Sequence, residues 1–233
     1  MDVLVAETQA QIGYVLQQEL RNILEKPVGT LVTQVRVDAH DPAFENPTKP
    51  VGPYYDADTA RSKPFQTRLI TRSDGRSMYR RVVPSPAPIE IIESSQIESL
   101  LKDGTIIITV GGGGIPVVRE RGSLRGVEAV IDKDLASAVL GKEIDADTLL
   151  VLTDVEFAYL DFGKSSQRPL HQVTPAEMGE YLDAGEFATG SMGPKVEAAI
   201  EFVESGGDRS IITAVDHVDD ALAGESGTEI REA

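Results

Sequence analysis

Hydrophobic positions in the first 25 residues recur at the spacing of an amphipathic helix. This pattern predicts a helix from Asp2 to Glu25, ended by the Pro27/Gly29 region, and then a β-rich strand from Thr30 to Val37. Further along, runs of consecutive apolar residues are typical of buried strands, and they lie at 106–110, 148–155 and 209–215. Because helical patterns alternate with these runs, we expect an α/β fold with a mainly parallel sheet and helices on both faces.

Capping signals indicate where several of these helices begin. Ser95-Gln-Ile-Glu98 has the pattern of a capping box, and the short helix that it opens should end at Gly104. Thr174-Pro-Ala-Glu177 combines an N-cap threonine, proline at the first helical position and glutamate at the third. Other helices are expected at 132–141, from Pro194 to the Gly206-Gly207 pair, and at 216–223, followed by an acidic tail.

Residues 38–82 differ in composition from the rest of the chain. Prolines and aromatic residues crowd together, and Ser73-Asp-Gly75 is a turn signal between possible hairpin strands at 66–71 and 77–83. We therefore expect a single domain over residues 1–233 with an inserted, protruding lobe or lid at 38–82. The second half of this lobe concentrates the basic residues Arg61, Lys63, Arg68, Arg72, Arg76, Arg80 and Arg81. They are either a solvated face that offsets acidic neighbours or a surface that attracts an anionic substrate.

Charge and composition exclude several classes of function. The net charge of −16 argues against non-specific binding of nucleic acid, which needs a basic surface. The sequence has no apolar run of about 18 residues, no visible signal peptide and no cysteine, which fits a cytoplasmic enzyme. Arginine outnumbers lysine by 14 to 8. This balance fits a salt-adapted cytoplasm, where ionic strength screens self-repulsion, or simply an ordinary acidic protein.

Four consecutive glycines follow the apolar run that ends at Val110. Gly111, Gly112, Gly113 and Gly114 cost conformational entropy, and Pro116 prevents regular continuation of the chain. Such a turn lets an anion approach backbone N–H groups, but it also fits a plain loop.

Lysine residues at two predicted helix starts are the other candidate chemistry. Lys133 lies between Asp132 and Asp134, and Lys195 follows Ser191-Met-Gly-Pro194. A lysine near a helix N-terminus adds to the positive end of the helix dipole, which suits a transferring phosphoryl group. The three histidines lie far apart without metal-ligand spacing, so no metal site is predicted. The sequence also contains no P-loop and no dinucleotide-binding motif.

Several segments together resemble the carbamate kinases of the amino acid kinase family. They are Thr8–Tyr14, Thr33–Asp38 with Asp41–Phe44, Pro47–Tyr54, Gly126–Leu135 and Gly190–Ala199. The resemblance covers essentially the whole chain, and the Pro47-Thr-Lys-Pro50 element of the lobe is specific to the carbamate kinase group. It implies reversible phosphoryl transfer between ATP and carbamate, which gives ADP and carbamoyl phosphate. It also implies Mg²⁺ with the nucleotide, a homodimer and a place in arginine catabolism.

The resemblance also implies roles for individual residues. Lys133 and Lys195 would neutralise the phosphoryl group, Asp134 would orient these lysines, and Lys49 would reach the phosphates from the lobe. Gly111, Gly112 and Gly113 would offer N–H groups to the carbamate end. The residues expected to border the nucleotide are Thr153, Asp154, Tyr159, Met192 and Pro194.

One departure from the family pattern leaves alternatives open. Carbamate kinases begin with a strand and a Gly-Gly-Asn turn that holds ATP phosphates, and this sequence starts at a later helix. It is expected to be N-terminally incomplete, through a misplaced start, a fragment or a real shortened form. The corresponding alternatives are an active kinase and an inactive or regulatory subunit of the same fold. A kinase for another carboxylate or for UMP is disfavoured by the Pro47-Thr-Lys-Pro50 element.

Overall fold

The computed structural model describes residues 1–72, 74–188 and 190–233. These residues form two compact units. Unit 1 comprises Met1–Ile92 and Gly104–Asp132, and unit 2 comprises Glu93–Asp103 and Lys133–Ala233. The single domain expected over 1–233, with its lobe at 38–82, stays a prediction.

Helices and strands alternate along much of the described chain. The α-helices are α1 (Asp2–Ile23), α2 (Ala57–Arg61), α3 (Ser94–Lys102), α4 (Lys133–Glu143), α5 (Pro175–Asp183), α6 (Met192–Glu204) and α7 (Val218–Leu222). The strands are β1 (Val28–Thr30), β2 (Gln34–Val37), β3 (Lys49–Tyr55), β4 (Thr67–Thr71), β5 (Ser77–Val83), β6 (Pro88–Ile91), β7 (Ile106–Ile108), β8 (Ile115–Glu120), β9 (Ser123–Gly126), β10 (Thr148–Thr153), β11 (Tyr159–Leu160), β12 (Arg168–Pro169), β13 (Gln172–Val173), β14 (Arg209–Ala214) and β15 (Thr228–Ile230).

Unit 1 contains a four-stranded sheet of order β6-β2-β8-β9, a parallel pair β1-β7 and a three-stranded lobe sheet β3-β5-β4. The predicted hairpin of β4 and β5 is confirmed, although Ser73 of its turn lies outside the described residues. β3 was not predicted because its prolines, Pro50 and Pro53, cannot donate to a sheet. The register of β3 with β5 shifts between Val51 and Tyr54, which accommodates Pro53.

Unit 2 is built on a sheet of order β10-β14-β15-β13, in which β10 and β14 run parallel and β15 is antiparallel to β14. Its core joins apolar side chains of the sheet and of α4, α5 and α6, including Met178, Phe202 and Ile212. β15 falls in the stretch that the sequence pattern marked only as an acidic tail. The α/β fold class is confirmed, with mixed sheets in which antiparallel strands join the predicted parallel pairs.

The strand predicted at 30–37 is two strands, because the chain leaves β1 at Leu31 and enters β2 at Gln34. The side-chain amide of Gln9 bridges the gap. Its Nε2 donates to the carbonyl oxygen of Thr33 at 3.1 Å, and its Oε1 accepts from the backbone N–H of Thr33 at 3.0 Å. Gln9 is only 6% exposed, so an α1 side chain satisfies the buried backbone where the strand is interrupted.

The two predicted capping boxes have different outcomes. In α5, the Glu177 backbone N–H donates to Thr174 Oγ1 at 3.3 Å and the Thr174 N–H donates to Glu177 Oε2 at 2.9 Å, so that box is confirmed. The box predicted at Ser95 is wrong, because α3 begins two residues earlier than a Ser95 N-cap requires, with Glu93 as N-cap and no side-chain capping bond. Ser95 Oγ instead donates to the side chain of Gln96.

Candidate functional site

Asp134 and two lysines form an ionic cluster in unit 2, in which Asp134 and Lys195 are largely buried. Lys133 and Asp134 open α4, while Lys195 lies in the first turn of α6. Both Lys133 Nζ and Lys195 Nζ donate to the same oxygen, Asp134 Oδ2, and each distance is 3.0 Å. The structure therefore brings together three of the four predicted catalytic residues, and the two nitrogens are at most twice 3.0 Å apart.

Burial makes this cluster energetically unusual. The side chains of Asp134 and Lys195 are 11% and 10% exposed, whereas that of Lys133 is 60% exposed. Desolvating a charged pair costs several kcal/mol, roughly, and the attraction within the pair often fails to offset this cost. These three side chains comprise one carboxylate and two ammonium groups. Such a cluster, at the start of two helices, is suited to bind an anion.

The fourth predicted catalytic residue, Lys49, belongs to unit 1. It opens β3, and its Nζ donates to Asp132 Oδ2 at 2.6 Å. The Asp132 side chain is 9% exposed and that of Lys49 is 34% exposed. Asp132 and Asp134 flank Lys133 in the sequence, so each of these two carboxylates engages a predicted catalytic lysine of its own unit.

The glycine turn is a tight 3₁₀ turn at Gly111–Gly113 in unit 1. The φ angles of Val110, Gly112, Gly113 and Gly114 are all positive, at 53°, 64°, 95° and 82°. A Cβ on Gly113 would lie 2.3 Å from the carbonyl oxygen of Ile131, and one on Gly114 would lie 2.2 Å from Val35 Cγ2. Close packing accounts for these two glycines, so the role of the turn toward carbamate stays a prediction.

A cavity of about 500 Å³ in unit 2 is lined by three of the five residues predicted to border a nucleotide. These are Asp154, Tyr159 and Met192. Thr153 is not in its lining, but its hydroxyl donates to Asp154 Oδ1 at 3.1 Å. Pro194 is not in the lining either and lies in the first turn of α6. The other lining residues are Val155, Asp161, Phe162, Lys164, Ala184, Gly185, Glu186, Phe187, Ala188 and Ser191.

The walls of this cavity combine aromatic and charged groups. The rings of Tyr159 and Phe162 lie 6.0 Å apart, and Lys164 Nζ donates to Asp161 Oδ1 at 2.7 Å. This hydrogen bond lowers the pKa of Asp161 and raises that of Lys164. The backbone N–H of Asp161 donates to Glu186 Oε2 at 3.0 Å. An apolar wall with a few placed polar groups is typical of a pocket for a small organic ligand.

Residues 51–214 match the model of the amino acid kinase family, which is more than half of the chain. A carbamate kinase from Halobacterium salinarum is 52% identical over 230 residues, covering 99% of this chain and 75% of that protein. The chain belongs to the carbamate kinase group of the amino acid kinase family. A carbamate kinase from Thermococcus kodakarensis is 49% identical, again over 99% of this chain and 75% of that protein.

Solved structures of the carbamate kinase group agree with this assignment. Carbamate kinase from Giardia lamblia bound to AMP-PNP has a TM-score of 0.87 and 41% identity, and the match covers all of this chain and 75% of that one. The expected amino acid kinase fold is thereby confirmed. This member of the group spans about three quarters of the length of these relatives.

Two structural features of this carbamate kinase family member concern metal binding and membrane insertion. Among the described residues, no three or more His, Cys, Asp or Glu side chains are grouped so that they could hold a metal ion. In the same part of the chain, no helix combines the length and the apolar character that crossing a bilayer requires. The roles of individual site residues stay predictions. The sequence did not indicate that Phe162, Lys164 and Glu186 line the cavity.

Proposed function

We propose that this chain catalyses reversible phosphoryl transfer between ATP and carbamate, which gives ADP and carbamoyl phosphate. The observation that carries the proposal is the shared contact of Lys133 and Lys195 with Asp134, in a chain about 50% identical to carbamate kinases. In the ATP-forming direction, the P–O bond of carbamoyl phosphate breaks, a new P–O bond to ADP forms, and carbamate leaves.

In this proposal, the lysines neutralise charge on the phosphoryl group as it transfers. Phosphoryl transfer depends on positioning and charge stabilisation more than on covalent chemistry by the protein. Lys195, buried and fixed, sets the position of the phosphoryl group, and Lys133, more exposed, adds the second charge. Asp134 orients both amino groups. Lys49 contributes a third positive charge, and the N–H groups of Gly111, Gly112 and Gly113 bind the carbamate end.

The proposed nucleotide site is the unit 2 cavity. Tyr159 and Met192 offer an apolar surface for a base, and Asp154 is the polar group at the carboxyl end of β10. Thr153 positions Asp154 through their hydrogen bond, and Pro194 lies in the first turn of α6 next to Lys195. Mg²⁺ neutralises ATP phosphates when bound. We propose that the ion comes with the nucleotide, since Mg²⁺ at such sites is bound mainly by substrate phosphates and one or two carboxylates.

We also propose that the protein is a cytoplasmic homodimer that acts in arginine catabolism. An apolar stripe on α1 supports self-association. At 3.6 residues per turn its members share about a third of the helix circumference, and they are Leu4, Ile12, Val15, Leu16 and Ile23. Each is between 46% and 76% exposed, and apolar side chains exposed on one side of a helix favour burial against a partner surface.

The direct test measures ATP formation from carbamoyl phosphate and ADP, at low and at high salt. Turnover that requires both substrates and rises with salt supports both the kinase and its salt adaptation. A folded chain that binds ADP without turnover would instead favour a regulatory or inactive subunit. Acetyl phosphate with ADP, and UMP with ATP, offered in separate reactions, test whether the phosphoryl group is exchanged with another carboxylate or with UMP.

A further inference from the structure

The segment of residues 127–132 contacts both the glycine turn and Lys49, two features of unit 1 that were predicted separately to bind substrate. Ile131 lies against the glycine turn, since a Cβ on Gly113 would meet its carbonyl oxygen. Asp132, the next residue, holds Lys49 of the lobe. Ala129 and Ile131 are 0% and 1% exposed, so the segment is anchored in the core of the unit.

Alternate residues of this segment contact the base of the lobe. Glu128 accepts a hydrogen bond from the guanidinium of Arg81, the Val130 N–H donates to the carbonyl of Pro84 at 3.0 Å, and Asp132 accepts from Lys49. Lys49 is paired with Val83 and Val51 with Arg81 in the antiparallel β3-β5 register. Because opposed residues and residues two apart share a face, Lys49 and Arg81 project from the same side of the sheet.

We propose that Asp132 is a positioning residue that fixes the amino group of Lys49, so that residues 127–132 hold Lys49 and the glycine turn in one defined arrangement. The inference rests on the proposed function, in which Lys49 contacts the transferring phosphoryl group. A flexible lysine side chain has many rotamers, and a nearly buried carboxylate at 2.6 Å restricts it to one position. Arg81 and Glu128 tie the lobe to the same segment through an ion pair separate from that of Lys49 and Asp132, so lobe attachment and lysine positioning can be tested by different mutations.

The experiment compares Asp132→Asn with its matched control Glu128→Gln. A misplacement of about 1 Å can cost on the order of 10²-fold in rate, so Asp132→Asn should lower kcat at least about tenfold while leaving the KM for ADP unchanged. Glu128→Gln should stay within about twofold of wild type, since its effect is confined to an exposed ion pair. Lys49→Met should cause a loss similar to Asp132→Asn, and the double variant should be little worse than either single variant. Equal effects of Asp132→Asn and Glu128→Gln, or additive losses, would overturn the proposal.

A second measurement does not depend on turnover. Amine acylation of the folded protein, followed by peptide mass spectrometry, compares Lys49 with the exposed Lys26. If Asp132 restrains the amino group, Asp132→Asn should make Lys49 react several-fold faster relative to Lys26, and Glu128→Gln should not. An unchanged ratio would refute the positioning role. A wild-type protein without turnover but with this acylation difference would refute the proposed function while supporting the contact.

Discussion

The amino group of Lys195 lies 3.0 Å from Asp134 Oδ2, and both side chains are about nine-tenths buried. Lys133 engages the same oxygen, so removing Lys195 leaves the buried carboxylate with a partner. Loss of Lys195 is therefore expected to affect the chemistry more than the fold.

Lys195→Ala should lower kcat by roughly 10²–10³-fold, the usual effect of removing one group that stabilises transition-state charge. The measurement is ATP formation from carbamoyl phosphate, with circular dichroism to verify the fold. Lys142→Ala is the matched control, because Lys142 is an exposed lysine near the end of α4. Near wild-type turnover of Lys195→Ala would remove Lys195 from the mechanism.

Gly113→Ala should destabilise the protein and reduce activity, because its Cβ would lie 2.3 Å from the Ile131 carbonyl oxygen at a φ of +95°. Gly122→Ala is the control, since Gly122 has a φ of +85° and open space around its Cβ position. The control should cost only about 1–2 kcal/mol, the usual left-handed backbone penalty. Urea denaturation of both variants measures the difference, and equal losses would show that the contact with Ile131 is unimportant.

Glu201 on α6 predicts a pH dependence of stability. Partial burial raises the pKa of Glu201 above its ordinary value of 4.5, and the charges of Glu197 and Glu204 raise it further. The folded state therefore binds this proton more tightly than the unfolded state, and the resulting stabilisation is complete below pH 4.5 and lost as the pH rises through the folded pKa.

Glu201→Gln should accordingly increase the free energy of unfolding at neutral pH, and the gain should shrink as the pH is lowered toward 4.5. High salt should also reduce it by screening the neighbouring glutamates. Denaturant titrations at several pH values test this, with Glu180→Gln of α5 as a control at another exposed glutamate. A gain that does not vary with pH would contradict the assignment.

Leu16→Glu should shift the proposed dimer to monomer by placing a charge in the exposed apolar stripe of α1. Light scattering coupled to gel filtration measures the mass. Glu7→Gln, at an exposed polar position of the same helix, should leave the mass unchanged. A wild-type protein that is monomeric at all concentrations tested would contradict the dimer itself.

Local signals in the sequence predicted local structure well. The capping box at Thr174 depends only on residues three apart, and the hairpin predicted at 66–71 and 77–83 depends on the turn signal Ser73-Asp-Gly75 between its strands. β15 was missed because its three residues form a strand only through pairing with β13 and β14. The signal at Ser95 failed because α3 begins at Ser94, so Ser95 lies inside the helix and not at its N-cap.

The site was predictable where residues lie at helix starts. Lys133, Asp134 and Lys195 were identified from lysines at the beginnings of two helices and from the family resemblance, and their shared contact follows from the fold. Phe162 and Glu186 gave no signal, because they reach the cavity from separate loops and carry no motif. Lys49 and Asp132 are 83 positions apart in the sequence, so no local pattern could predict their contact.

Gln9 presents to Thr33 the same amide group that a neighbouring strand would present. Position 9 therefore needs a side chain that both donates to and accepts from the Thr33 backbone. Glutamate would set a carboxylate against the Thr33 carbonyl, asparagine is one methylene too short, and methionine would fill the space without donor or acceptor. A saturation library at this codon, selected for folded protein, should consequently retain glutamine almost alone. The hydrophobic pattern of the helix does not distinguish Gln9 from its exposed polar neighbours.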